Sequence, residues 1–505
     1  MAKIIDFSIT VTIPIFHTYT MRRRTAIKHI GLGLSAGVTV PAWLSACGSK
    51  DPGPEIDYNG VVGIIGAGAA GMYVADILQT RGVRVVIYEA SDRLGGRVHS
   101  IRQFEDNPLN SDFPTELGAE RIWGTDSLWA KMVQQLGIPA VEFTAQMNDC
   151  FFLDGTYFKK ADALKDPDFA AAFQFANSLK TYAGDNVSVQ QAIQSAGLNP
   201  RVHAILNSWL ANRHGTSSDR LGIQALAESA SLLTRNSNEI ILGSNPMQDV
   251  LSSRFSKITS KIQFGYVVKK VDYSGDKIRI QGEQKTATAA TPFSDEVDRL
   301  IVTVPVSILQ DGDIAFVPSL PAEKSTALLS LGMDTTLRVI LEFRLNFWNV
   351  DTAVIYGGTT VPEYFNAGAG RSQFTKTLSL TICGSHAETL APLGEDMVPV
   401  ILKELDDVFD KKATENIRRD SDSKKIISVI HNWKNDPYIR GGVSYVKPGG
   451  TNQDRITLGM PVNQKIFFGG EATDGSGDSG TINGALLSAE RVAEEVVQSI
   501  VAPLS

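Results

Sequence analysis

The sequence predicts an α/β protein of two intertwined domains, one built on a parallel sheet and one combining a mixed sheet with helices. The first sign is an apolar strand, Val61 to Ile65, followed by glycines, an amphipathic helix and a second strand, the order of a βαβ unit. The second sign is a strand, a Gly-Gly turn and a helix at 464–501, which return to the same domain. With 505 residues and 43% apolar content, the chain is long enough for two domains with large cores.

The glycines of the first βαβ unit have the spacing G-x-G-x-x-G. Gly66 allows the tight turn from strand to helix, Gly68 leaves room for a pyrophosphate, and Gly71 lets helix and strand pack closely. The pyrophosphate would face free N–H groups and the positive end of the helix dipole. Glu89, at the end of the second strand, is placed to accept hydrogen bonds from both hydroxyls of an adenosine ribose. The unit therefore predicts a Rossmann-like, dinucleotide-binding domain.

Two further segments resemble the flavin amine oxidase family. Residues 89–97 read E-A-S-D-R-L-G-G-R, and residues 466–472 and 478–486 read I-F-F-G-G-E-A and D-S-G-T-I-N-G-A-L. In that family the first loop closes over the FAD pyrophosphate, the acid after the double glycine contacts the ribityl–phosphate region, and the last helix begins against the flavin ring. The resemblance covers essentially residues 56–505. It implies FAD, held non-covalently because the covalent cysteine of the monoamine oxidases is missing.

The resemblance implies cofactor-binding residues along the whole chain. They are Gly66, Gly68, Ala70, Gly71, Glu89, Ala90, Arg93, Gly96, Arg97, Gly118, Ala119, Glu120, Arg121, Val268, Gly470, Glu471, Thr481 and Ile482.

Apolar patterns and turn signals divide the chain into alternating segments, with predicted strands at 336–343, 377–383 and 425–433 and a hairpin at 267–280. The expected segments are a twin-arginine-type signal with a lipobox (1–47), a linker (48–57), three FAD-binding parts (58–126, 246–322, 436–505), a helical part of the substrate domain (127–245) and its sheet part (323–435).

The candidates for the catalytic site are Arg121, Arg338 and Trp433. Where the family usually carries a lysine near flavin N5, this chain has Arg338, and arginine stays charged where a lysine can be tuned towards neutrality. Trp433 is expected to line the flavin cavity. The places where monoamine oxidases hold the amine between two aromatic rings, 441–444 and 480–481, contain no aromatic residue, which argues against a simple aromatic amine.

Arg121 is the clue to the substrate. It ends the run Gly118-Ala119-Glu120-Arg121, and L-amino-acid oxidases and tryptophan monooxygenases carry G-x-x-R here, with the arginine gripping the substrate carboxylate. A bidentate guanidinium–carboxylate pair is well suited to fixing an amino acid. Two other roles stay open: pairing with an internal acid such as Glu116, or contact with FAD itself.

The resemblance therefore implies an FAD-dependent oxidase that acts on the C–N bond of an amine-bearing substrate, preferentially an L-amino acid. A hydride would pass to flavin N5, the imine would hydrolyse to an oxo acid and ammonia, and dioxygen would be reduced to hydrogen peroxide. Two alternatives remain: an amine or polyamine oxidase or dehydrogenase without carboxylate recognition, and an FAD-binding lipoprotein that has lost catalysis.

Charge and cysteines narrow the partners. A net charge of -7 gives no reason to expect nucleic acid, and the three cysteines have no metal-like spacing.

The N-terminus resembles a targeting sequence. Arg22-Arg23-Arg24 precede a short apolar stretch, 30–43, which resembles a twin-arginine signal, and Leu44 to Cys47 resembles a lipoprotein cleavage box. We therefore expect export to the periplasmic or cell-surface side, with membrane contact only through a lipid on Cys47. The sequence leaves a homodimer open.

Overall fold

The computed structural model of the protein describes residues 53–102, 108–109, 114–371 and 376–502. These residues form 23 strands and 16 α-helices. The strands are β1 (Val61–Ile65), β2 (Arg84–Glu89), β3 (Ser100–Ile101), β4 (Thr115–Glu116), β5 (Ile122–Trp123), β6 (Ala140–Glu142), β7 (Asn148–Leu153), β8 (Thr156–Lys159), β9 (Glu239–Leu242), β10 (Ile262–Phe264), β11 (Tyr266–Asp272), β12 (Ile278–Lys285), β13 (Ala290–Val297), β14 (Arg299–Val302), β15 (Ala315–Val317), β16 (Leu331–Met333), β17 (Thr336–Glu342), β18 (Thr352–Tyr356), β19 (Glu363–Asn366), β20 (Thr377–Cys383), β21 (Ser428–Asn432), β22 (Ser444–Val446) and β23 (Ile466–Phe468).

The helices alternate with these strands. They are α1 (Ala69–Thr80), α2 (Leu128–Gln135), α3 (Lys160–Ala163), α4 (Pro167–Asn177), α5 (Val189–Ser195), α6 (His203–Leu206), α7 (Ile223–Leu232), α8 (Met247–Arg254), α9 (Ser256–Thr259), α10 (Val306–Gln310), α11 (Ala322–Ser330), α12 (Gly384–Leu390), α13 (Met397–Val408), α14 (Lys412–Asn416), α15 (Asn452–Gly459) and α16 (Ile482–Val501).

A parallel sheet of five strands, in the order β10-β2-β1-β14-β23, forms the first half of the fold. The strand, helix and strand predicted around the first glycine motif are confirmed as β1, α1 and β2, and the C-terminal strand and helix as β23 and α16. Val62 of β1, Ala75 of α1 and Val492 of α16 belong to one buried core, so the two ends of the chain pack together. The predicted hairpin is also confirmed, because β11 and β12 pair antiparallel.

The second half is a sheet of seven strands, in the order β21-β17-β20-β19-β18-β7-β8. Successive side chains of a strand point to opposite faces. On one face Leu337 and Leu380 pack with helix α13, for example with Leu405. The residues between them, such as Arg338 and Thr381, which are register partners, belong to the opposite face. We call this opposite side the polar face of the sheet.

The helical part predicted for the substrate domain at 127–245 is wrong in part. The residues from β7 to β8 form an antiparallel hairpin that joins the edge of the seven-stranded sheet. The hairpin turns at Asp154 and Gly155, which both have positive φ values (51° and 72°). An Asp-Gly pair between alternating apolar residues is a strong hairpin signal, so the sequence did contain the evidence.

The predicted signal sequence, the lipobox and Cys47 lie outside the described residues. None of the helices in the described ranges is both long and apolar enough to span a membrane. The segment boundaries given above for the two domains stay predictions.

Candidate cofactor and active site

A cavity of about 650 Å³ lies where the parallel strands end. Its wall contains the residues that follow β1, β2, β14 and β23, which are Gly66, Ala90, Thr303 and Gly470. Ligands of open parallel sheets bind outside the carboxyl ends of the strands, because the connecting loops and helix N-termini gather there. The fold therefore places the cavity where a nucleotide cofactor is expected.

The glycines of the first motif shape this end of the cavity. Gly66 has a positive φ of 105°, and a Cβ there would lie 2.9 Å from Thr303 Oγ1. A Cβ on Gly71 would lie 2.0 Å from the Gly66 carbonyl oxygen, which supports its predicted packing role. At Gly68, by contrast, the nearest atom to a Cβ is the Gly95 carbonyl oxygen at 4.0 Å, so the missing side chain leaves open space inside the cavity. That space fits a backbone-bound pyrophosphate.

Glu89 is a fixed acceptor at the end of β2. Its carboxylate accepts hydrogen bonds from the amides of Ala67 (2.7 Å) and Ser91 (2.9 Å) and from the Ser91 hydroxyl (2.7 Å). The residue is 8% exposed and lines the cavity. These donors orient the carboxylate, and its remaining lone pairs fit the hydroxyls of a ribose.

The first and last motifs meet through an ion pair. Arg97 donates to Glu471 at 2.7 Å, and Glu471 also accepts from the Ser444 hydroxyl (2.6 Å) and the Gly480 amide (3.0 Å). Burial alone would raise the pKa of Glu471, but the charges of Arg97 and Arg455 lower it below its ordinary value. Glu471 is therefore a carboxylate that holds the two ends of the chain at one cavity.

Two helices begin at this cavity. Gly68 is the N-cap residue of helix α1, and Thr481 is that of α16, where the Thr481 hydroxyl accepts a hydrogen bond from the Gly484 amide at 3.0 Å. Gly68, Thr481 and Ile482 all line the cavity. The positive ends of both helix dipoles favour an anionic ligand such as a pyrophosphate.

Most predicted cofactor-binding residues line this one cavity. They are Gly66, Gly68, Ala70, Glu89, Ala90, Arg93, Gly96, Arg97, Gly118, Ala119, Val268, Gly470, Glu471, Thr481 and Ile482. Arg338 and Trp433 line it too, whereas Gly71, Glu120 and Arg121 are not among its lining residues.

Arg338 is buried and fully engaged on the polar face of the sheet. Its guanidinium donates to the Glu120 carboxylate (2.6 Å), the Ser379 hydroxyl (2.9 Å) and the Glu116 carbonyl oxygen (3.1 Å), and also to the Thr381 hydroxyl. Burial would raise the pKa of Glu120, but the charge of Arg338 lowers it. Glu120 thus serves as the counter-ion of Arg338, which accounts for its absence from the cavity wall.

Arg121 lies in a second ion-pair network. It donates to Glu239 at 3.1 Å and also to Glu363, while Arg213 donates to the other oxygen of Glu239 at 2.8 Å. Burial would lower the pKa of Arg121, but the charges of Glu363 and Glu239 raise it above its ordinary value. Of the roles open for Arg121, the structure shows pairing with internal acids, although not with Glu116.

Trp433 forms part of the wall between the cavity and the sheet. Its indole N–H donates to the Leu117 carbonyl oxygen at 2.8 Å, and only 2% of its surface is exposed. A Cβ on Gly118 would lie 1.8 Å from the Arg97 carbonyl oxygen and 3.3 Å from the indole ring, so glycine is needed for the Arg97 backbone to approach this part of the wall. This placement supports the role in the cavity wall predicted for Trp433.

Two parts of the lining were missed by sequence reasoning. One is the run Thr303 to Pro305, which follows β14 of the parallel sheet, and the apolar residues Leu300 to Val302 before it were a usable signal. The other is the segment 436–440, held by Arg440 to Asp313 (2.6 Å). Arg440 and Asp313 lie 127 residues apart, and no local sequence pattern predicts their contact.

The profile of a family described as flavin containing amine oxidoreductase matches residues 69–198 and 212–497 of this chain. The chain therefore belongs to the flavin-containing amine oxidoreductase family. The cofactor of the site is FAD, and the open space at Gly68, the oriented Glu89 carboxylate and the two helix N-termini fit it.

Several curated proteins are similar to this chain. Human lysine-specific histone demethylase 2 is 25% identical over 476 residues, which cover 88% of this chain and 54% of that protein. Polyamine oxidase 3 of Oryza sativa subsp. japonica is 24% identical over 458 residues, which cover 86% of this chain and 88% of that protein. The chain thus spans about half the length of the human demethylase and most of the polyamine oxidase.

Solved structures share the fold. Cyclohexylamine oxidase from Brevibacterium oxydans IH-35A has a TM-score of 0.71 and 17% identity, covering 87% of this chain and 99% of that one. Putrescine oxidase bound to putrescine has a TM-score of 0.70 and 17% identity, with the same coverage. The α/β fold predicted from the sequence is therefore confirmed as the amine oxidase fold.

Proposed function

We propose that the protein oxidises the C–N bond of a small amine with non-covalently bound FAD. The observation that carries this proposal is the extent of the cavity. Its wall does not stop at the FAD motifs but continues to Thr336, Arg338 and Thr381 on the polar face of the seven-stranded sheet. The additional space lies between a flavin-binding half and a separate sheet, which is a suitable place for a substrate.

The chemistry that FAD supplies when bound is acceptance of a hydride from the carbon next to the amine nitrogen. The protein contributes binding, orientation and exclusion of water. Four acids line the described cavity, and each is held by protein donors: Glu89, Asp313, Asp436 and Glu471. With no lining carboxylate left over as a base, we expect the amine to enter in its neutral form.

The substrate class depends on Arg121. An L-amino acid remains a second candidate, because Arg121 follows Gly118 and Ala119, which line the cavity. Its guanidinium, however, is occupied by Glu239 and Glu363. A substrate carboxylate would have to displace a buried glutamate and leave that charge unpaired, which is costly. This argument favours amines without a carboxylate, including the diamine and polyamine class that some relatives are named for.

An anaerobic titration tests the proposal. The purified holoprotein is mixed with alkylamines, diamines, polyamines and L-amino acids, and loss of the oxidised flavin absorbance is followed before air is admitted. We expect bleaching by at least one amine and return of the colour with peroxide in air. Bleaching without rapid return would favour a dehydrogenase, and no bleaching by any compound would favour a flavoprotein that has lost catalysis.

We also propose that the protein is exported through a twin-arginine-type signal and anchored by a lipid on Cys47. The order of arginines, short apolar stretch and Leu-Ser-Ala-Cys supports this. Fractionation should place the mature protein with membranes, and Cys47→Ala should release it. A wild-type protein recovered only in the cytosolic fraction would contradict the proposal.

A further inference from the structure

Two histidines stack behind the cavity wall. The rings of His99 and His431 are 6.0 Å apart between centroids and 9° from parallel. Both rings lie nearly perpendicular to the Trp433 ring, with centroid distances of 6.4 Å for His99 and 4.5 Å for His431. Neither histidine is among the residues lining the cavity, whereas Trp433 is. The pair therefore forms a layer directly behind a residue of the cofactor site.

The backbone of His99 also binds the segment Leu117–Gly118, which forms part of the cavity wall. The His99 carbonyl oxygen accepts hydrogen bonds from the amides of Leu117 (2.9 Å) and Gly118 (3.3 Å). The Leu117 carbonyl oxygen in turn accepts from the Trp433 indole at 2.8 Å. Gly118 lines the cavity, so the His99 backbone and the Trp433 indole both anchor the segment Leu117–Gly118 of this wall.

Each ring has one nitrogen that is buried without a hydrogen-bond partner, Nδ1 of His99 and Nε2 of His431. An unpartnered donor in such a place costs more than an unpartnered lone pair, and a charge costs more still. The geometry thus suits two neutral imidazoles and opposes an imidazolium.

The charges around the pair act in both directions, and burial is the largest effect on both rings. Arg93 disfavours a proton on either ring, while Asp92 near His99 and Asp436 near His431 favour one. Arg338 is the register partner of His431 on the neighbouring strand, but its charge is balanced by Glu120. Burial, with the charges of Arg93 and His431, lowers the pKa of His99 to about 4, and burial also lowers the pKa of His431.

We infer that His99 and His431 are positioning residues of the FAD site: as a neutral stacked pair they hold Trp433 against Gly118, and protonation of the pair weakens FAD binding. This inference depends on the FAD assignment and not on the identity of the amine. Because the pKa of His99 is lower in the fold than in a free chain, the arrangement is fully stable above about pH 6.5 and is lost as the pH falls towards 4.

The test measures FAD dissociation from the holoprotein by the rise in free-flavin fluorescence, together with Trp emission. At about pH 4, where about half of the His99 rings carry a proton in the FAD-free fold, we expect wild-type FAD affinity to fall by about twofold relative to pH 7.5. The double variant His99→Phe with His431→Phe keeps two stacked rings that take no proton, so its affinity should fall less than that of the wild type between the same two pH values. His431→Ala removes a ring and should weaken FAD binding by about tenfold even at pH 7.5.

His386 provides a matched control. It is another half-buried histidine with an unpartnered nitrogen, and it is not among the cavity-lining residues. His386→Phe should keep the wild-type fall in affinity at pH 4. The inference is overturned if wild-type affinity does not change with pH, or if the double phenylalanine variant loses FAD at pH 4 as the wild type does. Circular dichroism at both pH values separates loss of FAD from loss of fold. Amine oxidation can fail while this test succeeds, because FAD binding alone is measured.

Discussion

The two sides of the cavity are built in opposite ways. On the side of the parallel sheet, the wall is formed by backbone and by glycines, and Gly66, Gly68 and Gly71 act through the side chains that they lack. On the side of the seven-stranded sheet, the wall includes the long charged residue Arg338, and Arg121, which does not line the cavity, belongs to a separate ion-pair network. These arginines are bound to carboxylates of the protein itself, so they do not act as free recognition groups.

This difference predicts which substitutions each side of the cavity does not tolerate. The cofactor side depends on space for the backbone, so a single added methyl group can destroy it. The substrate side depends on balanced charges, so loss of one partner leaves another charge buried, while loss of both is better tolerated.

The largest effect should come from adding a methyl group on the cofactor side. Gly71→Ala places a Cβ 2.0 Å from the Gly66 carbonyl oxygen, and should abolish FAD binding and lower the free energy of unfolding by about 1–3 kcal/mol. Gly68→Ala has no protein atom closer than 4.0 Å, so it should weaken FAD binding while the apoprotein stays as stable as wild type. Both are measured by FAD titration and urea unfolding.

Gly275→Ala is the control, since its nearest atom is 3.8 Å away and it is not among the cavity-lining residues. If Gly68→Ala bound FAD as tightly as this control, the pyrophosphate would not lie where we place it.

The next effect tests charge balance beside the cavity. Arg338→Met leaves Glu120 buried without its cation and should lower the free energy of unfolding by about 3–5 kcal/mol. Adding Glu120→Gln should restore a large part of that loss, because the unpaired charge is removed. Arg279→Met, which breaks an exposed pair with Glu296, should cost less than about 1 kcal/mol in the same unfolding experiment. No recovery in the double variant would show that Arg338 stabilises the sheet by packing alone.

Arg121→Met tests whether this arginine recognises a substrate carboxylate. If Arg121 only balances Glu239 and Glu363, kcat/KM should fall by about the same factor, within about threefold, for amino acids and for plain amines. Steady-state kinetics on matched pairs, such as lysine and cadaverine, provide the measurement. Arg254→Met, whose partner is Asp76 in helix α1, is the control for a remote lost ion pair. A selective loss of amino-acid oxidation would restore the carboxylate role and overturn the preference for plain amines.

The smallest effect concerns a carboxyl group that the fold keeps neutral. Burial raises the pKa of Glu116 to about 8, against hydrogen bonds from Ser100 and Met247. The group therefore contributes stability below its unfolded pKa near 4.5, and this contribution is lost as the pH rises through about 8. Glu116→Gln should therefore lose less stability than the wild type as the pH rises from about 5 to about 9. Equal pH dependence in urea unfolding of the two proteins would contradict the shifted pKa.

The cofactor side was almost fully predictable from sequence. The spacing of Gly66, Gly68 and Gly71 after an apolar strand implies a turn and helix start, and this geometry is local to a few residues. The β7–β8 hairpin was misread although Asp154-Gly155 announced it, so that error lay in interpretation and not in missing information.

The substrate side could not be predicted in the same way. The sequence left pairing of Arg121 with an internal acid open but could not name Glu239 and Glu363, because they follow it by 118 and 242 residues and no local pattern relates them. The contact of His99 with His431 and the contact of Arg97 with Glu471 are of the same kind. Residue order alone was enough for the fold class, the FAD motifs and the family, because backbone turns depend on neighbouring residues. Only the tertiary structure decided which partners the charged and aromatic side chains have, because these contacts join buried residues that lie far apart in the sequence.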